Sequence, residues 1–206
     1  MMIDIMDIQG GNVQSIRNWA ERLHIQTRVI KNPNELKSNF LILPGVGSVG
    51  PYMDKLKKTN FDKAIKEHIN DGHRVLGICL GFQIMGNHSS EDGGVECLGL
   101  INGYTEHLKV NFSHNGWEEL TLDKNNLKTQ SLNSTMKLTR KRITKGRVFF
   151  NHEYGFINQD EDSFSLPISE NLNKYSSTLV KDNIIGVQFH PEKSQQTGLD
   201  FLSVIL

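Results

Sequence analysis

RVLGICLGFQ, Arg74–Gln83, joins a short apolar run to a cysteine set between two glycines. It opens with Val75-Leu76-Gly77-Ile78, an apolar run with the length and β-branched content of a buried strand. Cys79 follows, with Gly77 and Gly81 on either side, and beyond it Phe82, Gln83 and Met85 suggest a helix. A strand that turns into a helix through Gly-x-nucleophile-x-Gly is a nucleophile elbow. The strained turn demands small neighbours so that the backbone can double back. The helix is expected to aim its N-terminal N–H groups at the sulfur and favour thiolate. Leu80, just after the nucleophile, is placed to offer its backbone N–H to a developing oxyanion. The competing reading of Cys79 is a core cysteine at a strand end, since free cysteine is among the most buried residue types.

The rest of the chain sets the frame for this elbow. A length of 206 residues suits one α/β domain spanning 1–206 with a sizeable core. Basic and acidic residues balance at 23 each, which gives no global pull toward nucleic acid or a membrane surface. The two cysteines, Cys79 and Cys97, make no disulfide framework, so a reducing, cytoplasmic setting is expected. The opening MMIDIMDIQG carries no Lys or Arg and does not read as a signal peptide. No apolar run approaches the length of a membrane-spanning helix. The polar tract Thr121–Lys145 reads as surface strands and loops.

Upstream of the elbow, Met2–Met6, Gln26–Ile30 and Phe40–Leu43 read as strands, and Gly10-Gly11-Asn12 as a turn. Val13, Ile16, Ala20 and Leu23, with Trp19 beside them, fall on one helical face. Phe61–Asn70 is a second helix, closed by Gly72. Strands alternating with helices predict a mostly parallel sheet covered by helices on both faces. Pro44-Gly45-Val46-Gly47-Ser48 is a glycine-rich loop at a strand end. It lacks the Gly-Lys-Ser/Thr ending of a phosphate loop, and by itself it reads as an ordinary turn. Glu91–Gly103 is expected to be a loop, with Cys97 structural, and His114–Trp117 a turn whose large aromatic either packs at the surface or makes a partner contact. Arg140–Arg147 holds five basic residues among eight and reads as a solvated face.

Far downstream, Ile184–Phe189 is a further strand that ends in His190-Pro191-Glu192. Proline restricts the residue before it to extended geometry, in which side chains two apart share a face. Glu192 is thus placed to orient His190 through one ring nitrogen, leaving the other to take a proton from a thiol. Cysteine at one strand end and His/Glu at another is a nucleophile–base–orienter arrangement. Strand C-terminal ends are where sites form in open α/β sheets.

Gly77–Gln83 and Gly186–Ser194 (GVQFHPEKS) together resemble triad-type, class I glutamine amidotransferases. Within that superfamily, Asp7…Gly11-Asn12, Pro44–Gly47, His114–Trp117 and Lys181–Ile184 resemble the glutaminase subunits of imidazole glycerol phosphate synthases across nearly the whole chain. The resemblance implies a flavodoxin-like fold and hydrolysis of glutamine to glutamate and ammonia. Cys79 would form a glutamyl thioester, His190 would act as base and then acid, and Glu192 would hold His190. The oxyanion hole would comprise Leu80 with Val46 and Gly47, after a peptide flip near Val46. Gly45, Gln83, His152, Glu153 and Tyr154 would line the glutamine site, and Asn12 and Trp117 the partner interface. No metal or organic cofactor is implied. The implied partner is a (β/α)8 cyclase or synthase subunit that receives the ammonia in histidine synthesis as part of a heterodimer.

Three positions depart from the family pattern. Asp7-Ile8-Gln9 stands where Asp-Tyr-Gly is usual, His152-Glu153-Tyr154 where His-Ser-Tyr is usual, and Glu118 where asparagine follows the tryptophan. These spare the triad and keep open a paralogue that supplies ammonia for a surface-polysaccharide sugar. A cysteine hydrolase or peptidase on the same fold explains Cys79 and His190 but not Gln83. A non-catalytic scaffold subunit does not explain an intact triad.

Overall fold

A computed structural model describes residues 1–8, 12–109, 113–123 and 143–206, with the side chain of residue 143 left aside. The strands, in chain order, begin with β1 (Met2–Met6), β2 (Gln26–Ile30), β3 (Phe40–Leu43) and β4 (Arg74–Ile78). Two short strands, β5 (His88–Ser89) and β6 (Val95–Glu96), precede β7 (Gly103–His107), β8 (His114–Asp123) and β9 (Ile143–His152). The last are β10 (Tyr154–Asn158), β11 (Phe164–Pro167), β12 (Ser176–Lys181) and β13 (Ile184–Val187). The helices are α1 (Val13–Glu21), α2 (Val49–Thr59), α3 (Phe61–Asn70), α4 (Leu80–Gln83) and α5 (Gln195–Ile205).

Among the described residues, seven strands form one sheet in the order β11-β12-β13-β4-β3-β1-β2. The run from β2 to β13 is parallel, and β12 and β11 extend it antiparallel. The parallel part therefore has the flavodoxin-like order, with ligands expected beyond its C-terminal edge. Alternation along each strand feeds two cores. Ile3, Ile5, Phe40 and Ile42 pack with Ile16 and Trp19 of α1 and Phe201 and Leu202 of α5. Leu41, Leu43 and Val75 pack on the other face with Tyr52, Met53 and Leu56 of α2 and Phe61 and Ile65 of α3. The α2 helix escapes a sequence reading because Gly50 and Pro51 sit in its first turn, although Val49, Tyr52, Met53 and Leu56 have helical spacing.

Two smaller sheets flank the site edge. One has the order β10-β7-β5-β6, and the other is the antiparallel ribbon β8-β9. Several expectations change here. His114–Trp117 is not a turn but the start of β8, because Trp117 pairs with Phe149 across the ribbon and the two rings meet edge to face at 5.5 Å. The expected loop Glu91–Gly103 includes a 3-10 turn at Glu91–Gly93 and β6, which pairs with β5. The last parallel strand stops at Val187 rather than Phe189, so Gln188–His190 are released toward the site. The tract Thr121–Lys145 and the run Arg140–Arg147 lie mostly or partly outside the described residues, as does part of the Gly10–Asn12 turn.

At the opposite edge, Asp4 of β1 is fully buried. It accepts both arms of Arg28 at 2.8 Å and the backbone N–H groups of Lys37 and Ser38 at 2.9 Å. Burial opposes its charge, but Arg28 and the two N–H groups outweigh that and hold the carboxyl below its usual range. Asp4→Ala is expected to cost about 3 kcal/mol, because four N–H donors lose a buried acceptor. A group with a lowered folded pKa contributes stability above its unfolded value, and that contribution is lost as pH falls through the folded one. Urea titrations of wild type and variant should therefore differ fully at neutral pH and converge in acid. An equal difference at every pH contradicts this assignment.

Candidate active site

β4 delivers Cys79 to the C-terminal edge of the sheet with φ 54° and ψ −110°, a backbone state rare outside glycine. The flanking glycines are forced by packing. A Cβ on Gly77 would lie 2.6 Å from the Gly81 carbonyl oxygen, and one on Gly81 would lie 1.9 Å from the Leu43 carbonyl oxygen. Gly77 thus lets the chain double back, and Gly81 lets the turn press against β3. The expected helix is only the four residues of α4. A single turn has a small dipole, so the charge that faces the sulfur comes from side chains instead.

Those side chains come from the segment after β13. His190 is almost fully buried, and its Nδ1 lies 2.9 Å from Glu192 Oε1. Burial pushes the imidazole pKa down, but hydrogen bonds and charge from Cys79 and Glu192 outweigh it and raise the value to about 10. The ring is therefore a cation held between sulfur and carboxylate. The His190–Glu192 contact does not arise from extended alternation as expected: Pro191–Lys193 form a 3-10 turn, which curls Glu192 back to its neighbour. The ribbon clamps this turn. His190 N–H donates to the Phe149 carbonyl at 2.8 Å, Phe149 N–H donates to Ser194 Oγ, and Ser194 Oγ–H donates to the His190 carbonyl.

Two residues act here that sequence reasoning placed elsewhere or missed. Asn12, expected at a partner face, donates its side-chain amide to Glu192 Oε1 at 2.5 Å, so the start of α1 abuts the triad. Gln188, fully buried and unflagged by sequence, donates its amide to Cys79 Sγ at 3.6 Å. Gln83 Nε2 bridges the Tyr154 carbonyl at 2.7 Å and Gln188 Oε1 at 3.1 Å. Both N–H groups of Gln83 are thus spent, leaving its carbonyl oxygen to offer a ligand.

A cavity of about 260 Å³ opens over the sulfur. Val46, Gly47, Leu80 and Gln83 line one side, and His152, Glu153 and Tyr154 the other. Gly45 lies behind the first wall, where a Cβ would sit 2.6 Å from Leu80 Cβ and from Gly81 N. Glu91 and Lys193 also reach the cavity, and sequence reasoning missed both. The signal for Glu91 was an acidic pair just after an elbow. Its carboxyl pKa is pushed up, mainly by burial. The glycine loop is pinned at both ends. The Tyr52 hydroxyl donates to the Pro44 carbonyl at 2.5 Å, and Asp92 accepts from Ser48 Oγ at 2.9 Å and Gly50 N–H at 2.8 Å. Between these pins Gly47 has φ 98°, which suits only glycine. Trp117 is partly buried in the ribbon, away from this cavity, beside a second hollow lined by Arg147 and Ser194–Thr197. Cys97 is partly buried, and desolvation raises its thiol to about 11.

The glutamine amidotransferase class-I family model matches residues 4–203. An imidazole glycerol phosphate synthase subunit HisH from Bacillus subtilis (strain 168) is 33% identical, over 98% of this chain and 94% of that protein. The same-named subunit of Prochlorococcus marinus (strain MIT 9211) is 35% identical over 98% and 92%. Subunit HisH 1 of Campylobacter jejuni (strain 81-176) is 35% identical over 98% and 97%. Among solved structures, a glutamine amidotransferase covers 98% of each chain with TM-score 0.75 at 15% identity. PurLQS from Thermotoga maritima aligns with TM-score 0.72 at 17% identity, over 99% of this chain and 97% of that one. The structural likenesses speak for the fold alone. A family match across nearly all of the folded chain, with full-length relatives above 30% identity, makes this protein a member of the class-I glutamine amidotransferase family.

Proposed function

We propose that this chain is the glutaminase subunit of an imidazole glycerol phosphate synthase, hydrolysing glutamine and passing ammonia to a (β/α)8 cyclase partner. The observation that carries this reading is the buried Cys79–His190–Glu192 arrangement in a chain whose full-length relatives bear that enzyme's name. All three relatives above carry it, and no observation favours a polysaccharide-sugar paralogue.

In this mechanism the Cys79 thiolate attacks the side-chain carbonyl carbon of glutamine. The carbonyl oxygen becomes an oxyanion, met by Leu80 N–H, which as the first residue of α4 has no partner within the helix. A second donor comes from the Val46–Gly47 segment. The C–N bond breaks as the His190 imidazolium gives its proton to the leaving nitrogen, releasing ammonia and leaving a thioester. Neutral His190 then takes a proton from water, hydroxide attacks the thioester, and glutamate and the ion pair are regenerated. Glu91 is the cavity's candidate partner for the substrate ammonium, with Glu153 beside it. Gln83 Oε1, His152 and Tyr154 complete the lining.

The loop gates this chemistry. With Pro44 and Ser48 pinned, a peptide rotation is confined to Gly45–Gly47, and a hole lacking one donor costs roughly 100- to 1,000-fold in rate. The chain alone is therefore expected to be nearly silent. A partner docked on the face carrying Trp117, with acceptor bound, tips the loop. Ammonia release is measured for the chain, for the chain with its barrel partner, and with acceptor ligand added. No glutamine hydrolysis in any arm sinks the function, and full turnover by the chain alone sinks only the gate.

A further inference from the structure

His152 lines the cavity over Cys79, yet the hydrolysis above gives it no role. Its Nδ1 lies 2.7 Å from the Tyr154 carbonyl oxygen, so that nitrogen carries a hydrogen and donates it. Burial, with the positive charges of His114 and His190, lowers the His152 pKa to about 4, so the ring is neutral at physiological pH. Its Nε2 is then a bare acceptor, and it faces His114 Nδ1 at 3.0 Å. His114 must donate there. Its other nitrogen, Nε2, lies 3.2 Å from Glu118 Oε1 and must donate again. His114 thus bridges His152 and Glu118, which lies four residues further along β8.

The line continues to the nucleophile. The Tyr154 carbonyl also accepts from Gln83, Gln83 donates to Gln188, and Gln188 donates to the sulfur. Every donor in the line meets an acceptor, which is the condition under which a buried polar network rigidifies its surroundings. We infer that Glu118 and His114 are positioning residues for the glutamine site: a hydrogen-bonded pair on the β8 ribbon holds the His152 ring at its Nε2 and thereby fixes the Tyr154 carbonyl and the Gln83 amide. Glutamine would meet the fixed wall, so the device acts on substrate capture more than on bond breaking. This rests on the reading of the cavity as a glutaminase site.

The test uses the full chain with its barrel partner and a second readout that needs no glutamine. Glu118→Ala is expected to raise KM for glutamine about tenfold, the worth of one positioning hydrogen bond, with kcat within about threefold of wild type. Glu118→Asp, too short to span the gap, should behave the same way and serves if the alanine variant does not fold. Glu118→Gln should stay within about twofold, because its amide can donate to a singly protonated His114 and keep that ring donating to His152. In ¹⁵N-histidine NMR at neutral pH, His152 should appear as the fixed Nδ1–H tautomer. Glu118→Ala should shift the His152 Nε2 resonance as its contact with His114 loosens, while Nδ1–H stays held by the Tyr154 carbonyl. A wild-type KM in a folded Glu118→Ala protein, an equal KM rise in Glu118→Gln, or an unchanged His152 Nε2 resonance overturns the inference. A wild-type complex that hydrolyses no glutamine sinks the glutaminase reading and leaves the NMR arm to judge the relay.

Discussion

Cys79→Ala is expected to abolish ammonia release from glutamine, by on the order of 10⁴-fold or more, because no other group can form the thioester. The fold should persist. The alanine keeps a Cβ in the same strained turn, and the glycines that admit it are untouched. Cys97→Ser should leave turnover within about twofold, since its thiol is held protonated by burial and lies outside the cavity. The variant makes a second, spectroscopic forecast. With the sulfur gone, His190 keeps its burial but loses the largest of the contributions that raise its pKa, so its titration should move down from about 10. Ammonia assays with the barrel partner, and labelling by a glutamine-like chloroketone, decide the assignment. Label on Cys97 in place of Cys79 would make the elbow reading wrong.

His190→Ala should be nearly as damaging, because a residue that both pairs the thiolate and protonates the leaving ammonia belongs to one unit with the nucleophile. A loss on the order of 10³-fold or more is expected in single-turnover acylation. Glu192→Gln should be milder. Its amide can still contact His190, and the contact lies on the ring nitrogen away from the sulfur. Asn12→Ala should weaken the same step less again, since it removes a donor to Glu192 and leaves the His190 contact in place. The order of acylation rates, wild type, Asn12→Ala, Glu192→Gln, His190→Ala, is the measurement. A Glu192→Gln protein slower than His190→Ala would contradict these roles.

The elbow and the His-Pro-Glu turn were legible because their constraints are local. A residue with φ near 54° at a strand end needs small neighbours at fixed offsets, and those offsets are visible as Gly77 and Gly81. The parallel strands were legible for the same reason, since an apolar run of a few residues buried on both faces carries its own signature. The partners of the site were not. Asn12 meets Glu192 across 180 residues and Gln188 meets Cys79 across 109, and nothing near either residue marks the meeting. The departures at Glu118 and Glu153 stood out in the sequence only as oddities. The ribbon register, with His114 opposite His152, turns the first into the anchor of the His114 ring, and β9 carries the second to the cavity rim. Local sterics can be read along a chain, whereas hydrogen-bond partners between distant segments exist only once sheet order and register bring them within about 3 Å.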